Sequence, residues 1–81
     1  MIEIVYQEDA ILAMEAGKVV GKIEFSLADS EVSILHTYAY ESGRGIGSLL
    51  MQAAVEWADE HQYTIVPICS FAQKYLEQKS R

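Results

Sequence analysis

The sequence has only one cysteine, Cys69, and one proline, Pro67, among its 81 residues. A single thiol cannot form a disulfide within the chain, so packing must stabilise the fold, and an unpaired cysteine suits a reducing compartment. Charged residues interrupt every apolar run well before the ~20 residues that a membrane-spanning helix needs. Residues 1–5 also lack the basic segment of a secretory signal. We therefore expect a cytoplasmic protein that does not enter a membrane.

Basic residues are scarce as well: six Lys and Arg stand against twelve Asp and Glu, for a formal net charge of -6 at pH 7. Nucleic acids are held by clustered Lys and Arg, so this composition argues against nucleic-acid binding. Amines and other cations fit the acidic field better. The two histidines and the cysteine are far apart and show no recognised ligand spacing, so no metal site is expected.

Four β-rich runs in the first half of the chain predict an antiparallel meander within a single domain, residues 1–81. The predicted strands cover about residues 2–6, 10–15, 19–27 and 31–38. In the third, the odd positions from Val19 to Leu27 form the apolar face. In the fourth, alternation gives each face one set of residues: Val32, Ile34, His36 and Tyr38 on the first, and Ser33, Leu35 and Thr37 on the second.

Helical spacing of apolar residues begins after Gly43 and continues to His61, which predicts a long amphipathic helix. A short β-branched run over residues 63–68 predicts a fifth strand. A second helix is expected to follow, with Ser70 as its N-cap and Gln73 at capping-box distance. The predicted fold is α+β: an antiparallel meander, then a β-loop-α-β unit and a short C-terminal helix.

Three of the five glycines, Gly43, Gly45 and Gly47, lie within five residues at the start of the long helix. Such a backbone can direct successive N–H groups, together with the positive end of the helix dipole, at a phosphate. Arg44 could add a charge-assisted contact. The alternative is that the glycines only permit a tight turn. The P-loop and dinucleotide motifs do not fit, because Ser48 stands where they require Lys and Gly, respectively.

Residues 42–47, Ser-Gly-Arg-Gly-Ile-Gly, resemble the motif Gln/Arg-x-x-Gly-x-Gly/Ala of the GNAT acetyltransferase superfamily. Ser42 departs from it, and Arg44 is expected to replace the missing side-chain contact to the pyrophosphate. The segments 36–38 (His-Thr-Tyr) and 67–71 (Pro-Ile-Cys-Ser-Phe) extend the resemblance over nearly the whole chain, to the minimal, single-domain GNAT-related subfamily.

The resemblance implies a compact GNAT-like core that binds acetyl-coenzyme A (acetyl-CoA) as co-substrate and acetylates a small-molecule or protein amine. Its implied cofactor-binding residues, the first two acting through their backbone amides, are Thr37, Tyr38, Ser42, Gly43, Arg44, Gly45, Ile46 and Gly47. Two alternatives are a noncatalytic CoA or acyl-CoA binding module and a small interaction protein whose open sheet edge pairs with a partner. A protein partner or a homodimer is compatible with each of them.

Three side chains are candidates for the chemistry. Cys69 lies near the positive end of the last helix, which favours thiolate, and the resemblance implies a catalytic role as acetyl acceptor or base; its alternative is a small buried hydrophobe. His36 is a candidate base near neutral pH, or else a hydrogen-bonded residue of the sheet. Tyr75 resembles the proton donor to the departing thiolate, or else packs in the core beside Phe71.

Overall fold

In the computed structural model of the chain, which describes residues 1–41 and 43–79, one five-stranded sheet carries two helices. The elements in chain order are β1 (Glu3–Tyr6), β2 (Ala10–Glu15), β3 (Lys18–Ala28), β4 (Glu31–Ala39), α1 (Ile46–His61), β5 (Thr64–Pro67) and α2 (Ser70–Lys79). The strands lie in the order β1-β2-β3-β4-β5. The predicted α+β fold is confirmed.

The first four strands pair antiparallel through tight turns, and β5 pairs parallel with β4 after the chain has crossed through α1. Two of these turns contain residues with positive φ angles: Ala16 and Gly17 between β2 and β3, and Asp29 and Ser30 between β3 and β4.

The C-terminal end of α1 is also marked by a positive φ angle, because Gln62 adopts the left-handed conformation. The amides of Gln62 and Tyr63 then bond back to the carbonyls of the last helical turn, which ends the helix.

A β-bulge in β3 changes which valine enters the core. Ala13 pairs with Gly21 and Met14 pairs with Val19, so Val20 is an extra residue in β3. Val20 is therefore buried, with only 2% of its surface exposed, whereas Val19 is half-buried. The predicted alternation placed Val19 on the apolar face and Val20 on the other, and was wrong here because one extra residue reverses the faces.

A second bulge lies in β4 and reverses the faces of the residues beyond it. Phe25 pairs with Ile34 and the adjacent Glu24 pairs with His36, which leaves Leu35 as the extra residue. Val32 and Ile34 are buried against the helices, whereas His36 and Tyr38 are exposed. The prediction that all four share one face was wrong. Beyond the bulge, Thr37 is the residue that turns towards the helices.

Both helices share one hydrophobic core with the inner face of the sheet. Its fully buried large side chains are Ile11, Val20, Ile23, Val32, Ile34, Ile46, Leu50 and Met51. Gly21 lets α1 approach the sheet closely, since a Cβ atom there would overlap Ile46 Cγ2 and lie 2.8 Å from the carbonyl oxygen of Tyr38. No helix in the described part of the chain is long and apolar enough to cross a membrane.

We expect Gly21→Ala to lower the free energy of unfolding by about 1–3 kcal/mol, because backbone as well as side-chain atoms would have to move. Gly17→Asn is the control: a Cβ at this turn meets nothing within 4 Å, and Asn tolerates its positive φ. It should stay within about 0.5 kcal/mol of the wild type. Urea unfolding of both variants measures the difference. Equal stabilities would contradict the assigned contact between α1 and the sheet.

Candidate functional site

The N-terminus of α1 has backbone amides that no side chain caps. Its N-cap is Gly45, with φ 69° in the left-handed region, and the first helical turn contains no acidic residue. The amide of Leu49 makes the first intrahelical bond, to the Gly45 carbonyl at 3.0 Å. The amides of the three residues before Leu49 have no intrahelical partner. Because a helix N-terminus carries partial positive charge, these amides favour an anion.

An open pocket of about 210 Å³ lies against this helix end. The three glycines of the loop, Gly43, Gly45 and Gly47, form part of its wall. The remaining lining residues are Thr37, Ala39, Glu41, Ile46, Ser48 and Phe71. Thus the pocket extends from the glycine-rich loop along the end of β4, and it reaches α2 at Phe71.

Gly43 and Gly47 serve different purposes in this loop. Gly43 has a positive φ of 79°, and a Cβ built on it meets nothing within 4 Å, so the backbone turn is what requires glycine. Gly47 is buried in the helix, where a Cβ would lie 2.8 Å from Cζ of Phe71. The missing side chain at Gly47 therefore lets the Phe71 ring pack on the first turn of α1.

The Arg44 guanidinium is held by two carboxylates. Its Nη1 and Nη2 atoms donate to the two oxygens of Glu15 at 2.7 and 2.8 Å, and Nη1 also donates to Glu41 at 2.5 Å. These hydrogen bonds, above all those to Glu15, raise the pKa of Arg44 above its ordinary value. The same hydrogen bonding, together with the nearby charges of Arg44 and the N-terminal amine, lowers the pKa of Glu15. Arg44 thereby ties the loop to the end of β2.

Cys69 caps α2 through its thiol. The amide of Ala72 donates to Sγ at 3.4 Å, and the amide of Gln73 donates to the Cys69 carbonyl at 3.1 Å, which is the pattern of an N-cap residue. The N-cap of α2 is therefore Cys69. The prediction that Ser70 is the N-cap was wrong, because the helix is capped one residue earlier. The Gln73 side chain instead donates to the carbonyls of Pro67 and Ile68.

Thr37 connects Cys69 with the pocket. Its Oγ1 atom lies 3.4 Å from Sγ of Cys69 in hydrogen-bonding geometry, and Thr37 also lines the pocket at the glycine-rich loop. The two residues face each other because the pairing of β4 with β5 ends at Ile34 and Pro67, while β4 continues to Ala39. At that point both Ile68 and Cys69 donate their amides to the Ile34 carbonyl. The ladder between β4 and β5 therefore ends beside the thiol.

The family model described as GCN5-related N-acetyl-transferase matches residues 9–81 of the chain. The chain belongs to this GNAT family. It is also similar, over 96% of its length, to the NMR structure of a GCN5-like protein from Staphylococcus aureus, provisionally described as an N-acetyltransferase. That comparison has 30% identity and a TM-score of 0.78 and covers 80% of the other chain. No curated protein sequence matches the chain.

Two larger enzymes share the GNAT fold at lower identity. The ribosomal-protein-alanine N-acetyltransferase of Brucella melitensis is 22% identical, with a TM-score of 0.68 over 89% of this chain and 62% of the other. The PaiA N-acetyltransferase of Thermoplasma acidophilum, solved in complex with coenzyme A, is 19% identical, with a TM-score of 0.60 over 68% of this chain and 37% of the other. The chain thus spans less than two thirds of the Brucella enzyme and little more than one third of the Thermoplasma enzyme.

The structure brings together some of the site residues predicted for this GNAT chain. Thr37, Gly43, Gly45, Ile46 and Gly47 line one pocket, and Cys69 lies beside Thr37. Ser42 lies outside the described residues. Sequence reasoning missed both carboxylate partners of Arg44. No local pattern links Arg44 to Glu15, 29 positions away, whereas the three-residue spacing from Glu41 was a local signal that could have been used.

The other predicted residues lie elsewhere in the structure. His36 and Tyr38 are on the outer face of the sheet, with their rings 5.9 Å apart and Lys22 Nζ 5.6 Å from the Tyr38 ring centre. The structure therefore does not bring the His36 ring to the pocket. Tyr75 is half-buried against the core, as its packing alternative expects. In residues 1–41 and 43–79, no cluster of His, Cys, Asp and Glu could hold a metal ion.

The capping role of Cys69 predicts unequal effects of two substitutions on stability. Cys69→Ala removes the acceptor of the Ala72 amide and should lower the free energy of unfolding by about 1 kcal/mol. Cys69→Ser keeps an acceptor at the N-cap and should stay within about 0.5 kcal/mol of the wild type. Urea unfolding distinguishes them. A serine variant as unstable as the alanine variant would contradict the capping role.

The lowered pKa of Glu15 predicts a pH-dependent contribution to stability. Its pKa in the folded chain lies below the ordinary 4.5, so the pair with Arg44 stabilises the fold above pH 4.5, and this contribution disappears as pH falls through the lowered value. Glu15→Gln should unfold at lower urea than the wild type at pH 7, with the difference vanishing in acid. The effect is small because the pair is at the surface.

Glu60→Gln, the same charge change at the opposite end of α1, is the control for that measurement. If the difference between Glu15→Gln and the wild type persisted unchanged in acid, the ion pair would not be its cause.

Proposed function

We propose that the protein is an acetyl-CoA-dependent N-acetyltransferase that acts on a small-molecule or protein amine. The main support for this proposal is that Thr37 both lines the pocket at the glycine-rich loop and contacts the thiol of Cys69. An anion-binding helix end and a thiol are thus adjacent parts of one site. Acetyl transfer from a thioester needs both: a grip on the cofactor phosphates and a reactive group at the acyl carbon.

In this proposal the unpartnered amides at the start of α1 hold the pyrophosphate of CoA. The uncapped Gly45 and the absence of an acidic residue from the first turn favour this role. The pantetheine arm follows the end of β4, where the pairing with β5 has stopped, and the amides near Thr37 and Tyr38 are its partners. That direction carries the thioester from the loop towards Cys69. The PaiA enzyme solved with coenzyme A has the same fold, which supports the choice of cofactor.

Two chemical routes suit Cys69. In the covalent route its thiolate attacks the thioester carbonyl, a new S–C bond forms as the bond to CoA breaks, and CoA leaves as the thiolate. The acceptor amine then attacks the acetyl-cysteine, its proton neutralises the CoA thiolate, and the C–S bond breaks to release the Cys69 thiolate. In the direct route the amine attacks acetyl-CoA itself, and the Cys69 thiolate accepts the proton of the amine and passes it to the departing CoA thiolate.

His36 and Tyr75 remain candidates for proton transfer in this proposal. His36 is exposed on the outer face, so it can serve only an acceptor that approaches from that side. Tyr75 packs beside the core on α2, the helix that Cys69 caps. We also place the activity in the cytoplasm, because a lone half-buried thiol needs a reducing compartment to stay free.

Substituting Cys69 tests the function and separates chemistry from capping. We expect Cys69→Ser and Cys69→Ala both to lose about 100-fold or more in acetyl transfer, since neither supplies a thiolate, while calorimetry shows retained acetyl-CoA binding. Intact-mass analysis after incubation with acetyl-CoA distinguishes the routes. One added acetyl group that is absent from both variants supports the covalent route, and no adduct supports direct transfer.

His36→Ala and Tyr75→Phe, measured in the same assay, test the other two candidates. An activity unchanged by all Cys69 substitutions would remove Cys69 from the chemistry. Binding of acetyl-CoA without transfer to any amine would instead favour a noncatalytic CoA-binding module. If calorimetry showed no binding of CoA, the proposal would fail, and an interaction protein would become the better explanation.

A further inference from the structure

The pocket at the glycine-rich loop is lined by an acidic residue, although it is expected to bind an anion. Among the described residues that line it, Glu41 is the one charged side chain. Arg44 is bonded to Glu41 but does not itself line the pocket, and its guanidinium is turned towards Glu15 and Glu41. A dinucleotide-like cofactor with a pyrophosphate therefore meets a negative charge where a positive one is expected.

The two carboxylates hold Arg44 in different ways. Glu15 forms a bidentate pair, with one oxygen on Nη1 and the other on Nη2, the strongest geometry for this ion pair. Glu41 uses only one oxygen, Oε1, on the remaining donor of Nη1. Glu15 lies at the end of β2 and is not part of the pocket wall, whereas Glu41 is. The single bond, made by the residue that also lines the pocket, is the one that we expect a ligand to replace.

We propose that Glu41 is an internal competitor of the cofactor's pyrophosphate: its carboxylate occupies the Arg44 N–H that a phosphate oxygen takes when the cofactor binds. The inference rests on the proposed function. Binding exchanges one hydrogen bond for another of the same kind, from Nη1 to a carboxylate or to a phosphate oxygen. Glu15 remains on the other side of the guanidinium and keeps Arg44 at the loop, so Glu15 is a positioning residue.

Charge is the reason why this competition lowers affinity. Arg44 carries one positive charge and is flanked by two negative ones at hydrogen-bonding distance. When a phosphate oxygen takes this N–H, the ion pair of Glu41 with the guanidinium is broken, and its loss offsets part of the gain from binding the phosphate. The lost attraction acts between partly exposed groups, so dissolved salt screens it.

Glu41→Gln is the direct test, because the amide keeps the size and an oxygen acceptor while losing the charge. We expect it to bind CoA and inorganic pyrophosphate about 3- to 10-fold more tightly than the wild type in calorimetry at low salt, with a smaller gain at physiological ionic strength. Glu60→Gln, with the same change of net charge at the far end of α1, should bind like the wild type.

The Arg44→Met background tests whether Glu41 acts through the guanidinium. Without Arg44 there is no donor to compete for. Glu41→Gln should therefore tighten the binding of CoA and pyrophosphate in this background by less than half the fold-change that it gives in the wild type. A full gain in that background would overturn the competition, as would a Glu41→Gln variant that binds CoA no more tightly than Glu60→Gln.

The two proposals fail in different ways in these measurements. If the wild type binds CoA but Glu41→Gln gives no gain, the competition is wrong and the cofactor assignment stands. If Glu41→Gln binds pyrophosphate more tightly but no variant transfers acetyl groups, the competition stands and the proposed enzyme activity is wrong. If neither the wild type nor Glu41→Gln binds CoA or pyrophosphate, both fall.

Discussion

The extra residue Leu35 in β4 is the constraint on which the candidate site depends. Before it, Val32 and Ile34 point into the core and β4 pairs with β5; beyond it, pairing continues with β3 alone. A regular strand would place Thr37 on the outer face and His36 on the inner one, because side chains alternate. The bulge exchanges them, so that the hydroxyl of Thr37 meets the thiol of Cys69. The β4–β5 ladder ends just before Leu35, and the bulge turns a polar side chain of β4 towards Cys69.

Two glycines with ordinary φ angles fix the start of α1 between the sheet and α2. Gly21 in β3 leaves room for Ile46, and Gly47 leaves room for the Phe71 ring. Close approach on both sides holds the first turn of α1 in place without a side-chain cap. A side-chain cap would have occupied the amides that an anion needs. The packing therefore supplies the rigidity, and the helix end remains available for a ligand.

The sequence predicted every element of the fold, because strand alternation, the helical period after Gly43 and the turn residues are local signals. It failed at Val20 and Leu35, since a bulge arises from the pairing of two strands and has no signature in one of them. It also assigned the N-cap of α2 to Ser70, because serine is a preferred N-cap residue and cysteine is not. The glycine-rich loop was recognisable as a motif, but Glu15, which forms the bidentate pair with Arg44, lies 29 residues earlier in the chain.

The charges around the loop bear on how an acidic chain would attract the anion that we propose as its ligand. Arg44 is offset by Glu15 and Glu41, so its net contribution to the local potential is small or negative. The attraction must then come from the backbone: amides at the start of α1 and the helix dipole, which no side chain neutralises. Backbone dipoles have fixed directions and act within about one helical turn, so they select an anion that fits the loop rather than any anion nearby. In the proposed mode of binding, these amides supply the main attraction for a diphosphate, and the exchange of Glu41 for a phosphate oxygen on Arg44 only adjusts the resulting affinity.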